Sequence, residues 1–168
     1  MARLYKAVFA EMVRKVHFHR PQSTRVTFST VRFRTFCHAT EDESKVRKAL
    51  HFVTGGAPIE VSATKGHHGN RIAILESQLT KKKEMRLFWS SLAEAGLTAE
   101  ILANLDGRIG DDLALGLRLD KQEAYADRLS FDRGGDVVHV RARVVAYPAT
   151  RDGALLAARS YLSGLENR

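Results

Sequence analysis

Residues 137–145 read VVHVRARVV, the clearest strand pattern in the chain. Successive side chains of a β-strand point to opposite faces of a sheet, so Val138, Val140, Ala142 and Val144 share one face. The opposite face carries His139, Arg141 and Arg143. A strand with one apolar and one basic side predicts a sheet that is packed on one face and open to solvent on the other.

Two other segments repeat this pattern. Residues 25–37 place Val31, Phe33 and Cys37 on one face and Arg32 and Arg34 on the other. Val26 and Phe28 fall on even positions instead of odd ones, and this change of parity predicts a β-bulge near residues 29–30. Residues 113–120 alternate leucines with Arg118 and Asp120. If the polar sides belong to one open surface, they form a basic plate made of Arg32, Arg34, Arg118, His139, Arg141 and Arg143.

Arginine suits such a plate because its planar guanidinium pairs with phosphate oxygens and stacks on bases. Solvent-facing strand positions also carry arginine for solubility alone. The sequence leaves both readings open.

Helical patterns alternate with the strands. A capping box at Thr40 and Glu43 predicts a helix that ends at Gly55, and further helices are predicted over residues 80–95, from Thr98, after Asp120 and over residues 149–164. Strands are also predicted at residues 58–65, 71–79 and briefly at 129–131. This order predicts an α+β, two-layer domain with one mixed or antiparallel sheet and helices packed on one face.

The positive charge is concentrated in the N-terminal part of the chain. Residues 1–40 hold eight Lys or Arg against one acid, a net +7 out of the total of +8. A concentrated basic segment is typical of a polyanion partner such as nucleic acid, or of a solubilising tail. We expect residues 1–20 to be a basic extension, as helix or flexible arm, with Met12 as an alternative start, and residues 21–168 to form a single domain.

Composition excludes several classes of protein. No apolar run is long enough to span a bilayer, no secretory signal pattern begins the chain, and the single Cys37 fits a reducing compartment, so we expect a cytoplasmic protein without a membrane partner. We expect Cys37 to be a small buried hydrophobe. No phosphate loop, dinucleotide fingerprint or serine elbow is present, so we predict no cofactor and no catalytic residue.

The tip between two predicted strands, GHHGN at residues 66–70, is compact and polar. Adjacent histidines seldom bind one ion together, and no Cys or His pair with zinc-finger spacing lies nearby, so we predict no metal site. As RNA contacts, the tip would offer Lys65, His67, His68 and Asn70 to sugar or base edges. Lys121 and Gln122, in the first turn of a short helix, can also point toward an RNA, whereas Asp120 fits a helix cap better than an acid catalyst.

Four segments together resemble one family: CHATED at 37–42, GHHGN at 66–70, LRLDKQ at 117–122, and DVVHVR at 136–141 running on to Tyr147-Pro148. They are similar to the archaeal predicted exosome-subunit family, small RNA-binding-type proteins with a fold like that of ribosomal protein L5. The resemblance covers about residues 25–165. It implies an α+β two-layer domain with an RNA-related cytoplasmic role, and it brings no catalytic residue.

Three functions follow as hypotheses. The first is a non-enzymatic RNA-binding protein that contacts phosphates through the basic plate and belongs to RNA-processing or ribosome-related assemblies. The second is a protein-interaction subunit of an exosome or ribosomal assembly without direct RNA contact. The third is a nuclease or hydrolase using the histidine tip, Asp120 and Lys121.

Overall fold

In the computed structural model, which describes residues 27–66 and 69–166, five strands form one sheet. The strands are β1 (Phe28–Cys37), β2 (Glu60–Lys65), β3 (Arg71–Leu79), β4 (Ala114–Asp120) and β5 (Val137–Val144). Their order across the sheet is β2-β3-β1-β5-β4, and every neighbouring pair is antiparallel. The predicted α+β class is confirmed, and the sheet is antiparallel.

Helices cover one face of this sheet, as predicted. They are α1 (Glu43–Thr54), α2 (Lys82–Glu94), α3 (Thr98–Ala103), α4 (Leu105–Arg108), α5 (Lys121–Tyr125) and α6 (Arg151–Glu166). The other sheet face carries the exposed arginines of β1, β4 and β5. We call this second face the open face.

An aromatic cluster joins the sheet to the helix layer. Phe28 of β1 stacks on Trp89 of α2 with ring centroids 4.4 Å apart, and it meets the edge of Tyr161 of α6 at 5.4 Å. Phe33, in the middle of β1, meets Phe88 edge to face at 5.1 Å. Such pairs add to the free energy gained from apolar burial, so this cluster fixes how α2 and α6 lie across the sheet.

Most predicted boundaries shift by one or two residues, as where the helix predicted over residues 80–95 is Lys82–Glu94 and the strand predicted over residues 58–65 is Glu60–Lys65. Helix α1 is capped by Asp42, whose carboxylate accepts from the Ser44 amide at 2.8 Å, and not by Thr40. Residues 129–131 make only an isolated bridge between Leu119 and Phe131. The last helix begins and ends two residues later than predicted.

Other predictions hold in detail. The register between β1 and β5 shifts between Phe28 and Thr30, which confirms the predicted bulge. Cys37 is buried, and this burial raises the pKa of its thiol, as expected for a structural rather than a reactive cysteine. The expected extension over residues 1–20 lies outside the described residues and stays a prediction.

We expect Phe33→Ala to lower the free energy of unfolding by about 3–5 kcal/mol, because it removes a side chain that is 1% exposed at the centre of the core. Urea denaturation monitored by Trp89 fluorescence measures the change. The matched control is Phe52→Ala in α1, where the phenylalanine is 36% exposed. Equal losses for the two variants would contradict the packing described for β1.

Candidate nucleic-acid interface

The register of three neighbouring strands assembles the predicted basic plate. Arg34 of β1 lies opposite His139 of β5, and His139 lies opposite Arg118 of β4. In the next row, Arg32 lies opposite Arg141. Directly opposed antiparallel positions have Cβ atoms only about 5 Å apart, so the side chains of each row are neighbours on the open face. Arg143 continues the same face, where it lies opposite Thr30.

Carboxylates from outside the plate neutralise part of its charge. Arg34 pairs with Glu76 of β3 at 2.7 Å, and Arg141 pairs with Asp112 in the loop before β4. Arg118 pairs at 3.2 Å with Asp132, whose side chain is only 6% exposed and also accepts hydrogen bonds from two backbone amides. The plate is therefore less positive than its sequence implies.

Two plate arginines keep their charge available. Arg32 donates to the neutral amide oxygen of Gln78 at 3.2 Å, and Arg143 is exposed and makes no salt bridge within the described part of the chain. Both lie toward the Thr30 end of the open face. Exposed ion pairs are weak, generally below about 1 kcal/mol, so phosphates can also compete for Arg34 and Arg141.

His139 is the neutral centre of the plate. Burial lowers the pKa of its imidazole, and the positive charges of Arg118 and Arg34 lower it further, against an opposing effect of Asp132. The imidazole forms no hydrogen bond with any residue that the structure describes. Its ring nitrogens therefore stay available as one donor and one acceptor.

Lys121 lies in a different place from the one predicted. Its side chain is only 3% exposed, and its ammonium group contacts Asp136 at 2.6 Å, Glu41 at 2.7 Å and the Phe36 carbonyl at 2.8 Å. These three acceptors use all three ammonium protons. Burial works to lower the pKa of Lys121, but the hydrogen bonds and charges of the two carboxylates outweigh it, so the pKa is raised. The prediction that Lys121 contacts RNA is wrong, because no donor is left for a phosphate.

The side chains on either side of Lys121, those of Asp120 and Gln122, also form hydrogen bonds within the protein. Asp120 caps α5 by accepting from the Glu123 amide at 2.8 Å, as predicted. Gln122 is exposed, and its side-chain amide donates to Asp136 at 2.7 Å.

The tip is only partly described. The Gly66 amide donates to the Asn70 carbonyl at 2.8 Å and closes the hairpin, while Asn70 is exposed; His67 and His68 lie outside the described residues. Lys65 is paired with Arg71 and has the same parity as Ala63, whose partner Ala73 is buried on the helix side. The structure therefore does not bring Lys65 onto the face that carries the plate.

Phe36 was missed by sequence reasoning as a member of the open face. It has the same parity as Arg32 and Arg34, and its ring centroid lies 6.5 Å from that of His139. The sequence did contain a signal. Phe36 is an aromatic residue on the polar side of β1, whose apolar side is already formed by Val31, Phe33 and Cys37.

Among residues 27–66 and 69–166, no three His, Cys, Asp or Glu side chains come together as a group that could hold a metal ion. None of the helices in this part of the chain combines the length and apolarity that a bilayer span requires.

Comparison with known proteins places this geometry in a family. A family model described as RNA binding matches residues 30–144, which include the whole plate. An RNA-binding protein of Pyrococcus abyssi is 32% identical over 145 residues, with 80% of this chain and 93% of that protein covered.

Two solved structures of DUF54 proteins share the fold. The protein from Archaeoglobus fulgidus is 38% identical with a TM-score of 0.72, covering 79% of this chain and 98% of its own. The protein from Methanothermobacter thermautotrophicus is 33% identical with a TM-score of 0.69, covering 80% and 98%.

Replacing Lys121 by Met should destabilise the fold by about 1–3 kcal/mol, because Glu41 and Asp136, which are themselves 22% and 41% exposed, would be left close together without their shared cation. Urea denaturation of Lys121→Met, and of the same variant with Glu41→Gln and Asp136→Asn added, measures this. The triple variant should recover much of the loss. A loss below about 0.5 kcal/mol for Lys121→Met would contradict the buried three-way contact.

The lowered pKa of His139 predicts a pH effect on stability. Since the unfolded chain takes up a proton near the ordinary value of 6.5 while the folded protein resists protonation, the contribution of neutral His139 is complete above 6.5 and is lost as pH falls toward the folded pKa. Unfolding free energies measured across this range should fall more steeply for the unaltered protein than for His139→Gln. Parallel curves would show that the plate does not perturb this histidine.

Proposed function

We propose that this chain, which belongs to the family of RNA-binding proteins whose model matches residues 30–144, is itself a non-catalytic RNA-binding protein that uses the basic plate to contact phosphates. Family membership supports RNA as the partner. The fold alone would not support it, because one fold carries many functions.

The observation that carries the proposal is the position of Arg32 and Arg143. Both lie on a sheet face that the described helices leave open, and neither is matched to a carboxylate. Arg34, Arg118 and Arg141 stand beside them, held by carboxylates in fixed positions. A flat surface with two available cations and three oriented guanidiniums suits a ribose-phosphate backbone that runs along it.

Finer features belong to the same proposal. Asn70 and Gln122 are exposed and can donate to sugar or base edges, and we keep Lys65, His67 and His68 as contacts from the hairpin tip on a second side of the RNA. The resemblance to predicted exosome subunits with an L5-like fold supports a cytoplasmic role in RNA-processing or ribosome-related assemblies. Lys121 is buried with all three ammonium protons bonded, so it takes no part in this contact.

A second candidate function has its own observation. β2 forms an edge of the sheet, and all six of its residues are exposed, so its outer edge can accept a strand from another protein. This favours a protein-interaction subunit that docks through β2. A Ser62→Pro variant would weaken capture of a protein partner and leave RNA affinity unchanged under this alternative.

We expect RNA affinity to fall steeply with salt, and Arg32→Ala and Arg143→Ala each to reduce the slope of log affinity against log salt by about 0.7–1. The reason is that each arginine releases roughly one condensed counterion from the RNA. Fluorescence anisotropy with a labelled RNA over a range of salt concentrations measures both quantities.

The matched control is Arg86→Ala, which removes an exposed arginine from α2 in the helix layer. It should leave the slope unchanged. A flat salt response of the unaltered protein, or equal effects of all three variants, would refute phosphate binding at the plate.

A further inference from the structure

The open face changes character from one end to the other. Toward Thr30 it carries the two available cations, Arg32 and Arg143. At the opposite end, Phe36 of β1 lies beside Ile74 of β3, and both are half-buried although no helix within residues 27–66 and 69–166 covers this face. Phe36 and Ile74 thus form a small apolar patch on an otherwise polar sheet face.

Phe36 and His139 form the centre of this patch. Their ring centroids are 6.5 Å apart and their planes meet at 81°, so the two rings form a corner. A flat base that stacks on one ring of the corner would present its edge to the other. His139 is suited to that edge because its imidazole is neutral and its ring nitrogens are free of hydrogen bonds to the described residues.

Two guanidiniums border the corner. Arg34 and Arg118 lie on either side of His139 in one row, and each is held by a carboxylate. Their charge is already matched, so they add less to phosphate binding than Arg32 and Arg143 do. A guanidinium fixed in this way still offers a flat face on which a base can stack.

From this arrangement we propose that Phe36 and His139 form a stacking site for an unpaired nucleobase, and that the ligand of the open face is single-stranded or looped RNA rather than a continuous duplex. The inference rests on the proposed function and names the class of RNA. The phosphate end and the base end are separated by the four residue steps from His139 to Arg143, about 14 Å along β5.

A continuous duplex does not fit both ends. In an A-form helix the bases are stacked on one another and only edges, phosphates and 2′-hydroxyls reach a flat protein surface. Such a surface gains nothing from an aromatic corner. A single strand can lay its phosphates on Arg32 and Arg143 while one base turns toward Phe36.

The test compares a single-stranded oligouridine with a blunt RNA duplex of the same length. Phe36→Leu should weaken binding of the single strand about tenfold, since stacking of one base on an aromatic side chain has roughly that effect, and should leave the duplex unaffected. Phe36→Tyr should bind like the unaltered protein. The matched control is Phe52→Leu in α1, which should change neither affinity.

Photocrosslinking of the unaltered protein to an oligonucleotide containing 5-iodouridine provides a measurement that needs no variant. We expect the crosslinked peptide to contain Phe36 or His139. If single-stranded RNA binds with a salt slope that depends on Arg143, yet Phe36→Leu binds it equally well or the crosslink maps away from both rings, the stacking site is refuted and the proposed function survives. If neither RNA binds, the proposed function itself fails.

Discussion

The alternation of side chains on β1, β5 and β4 is the constraint on which the rest of the structure depends. These strands are antiparallel neighbours, and from Thr30 onward the register of β1 with β5 runs without a break. The apolar residues of all three strands therefore meet the helices, and the basic residues of all three meet solvent. A slip of one residue in any of them would send arginines into the core and valines to the surface. The same strand register therefore produces both the packed core on one face of the sheet and the candidate interface on the other.

Lys121 helps to hold that register. It ties the end of β1 through the Phe36 carbonyl, the following loop through Glu41, and the start of β5 through Asp136. Burying a cation is costly unless its protons are all used, and here they are. The same contact anchors the backbone of Phe36, whose ring lies on the open face, through the ammonium group of a buried lysine.

Much of this could be predicted from the sequence because it depends on local periodicity. The pattern at residues 137–145, repeated at 25–37 and 113–120, was sufficient for the α+β class and for membership of the basic plate. The partners of the plate could not be predicted, because Glu76, Asp112 and Asp132 are distant in sequence from the arginines they bind. The burial of Lys121 could not be predicted for the same reason. It occupies an ordinary first helical turn, and the two carboxylates that bind it come from two other segments.

RNA that lies on the open face across β1, β5 and β4 would change the surroundings of the backbone amides in these strands. Chemical-shift mapping of backbone amides in the labelled protein, titrated with single-stranded RNA, tests this most directly. The largest shifts should lie in the middle of these three strands and include Arg32, His139 and Arg141, while α2 and α6 change little. Shifts confined to the helix layer or to the edge strand β2 would contradict it.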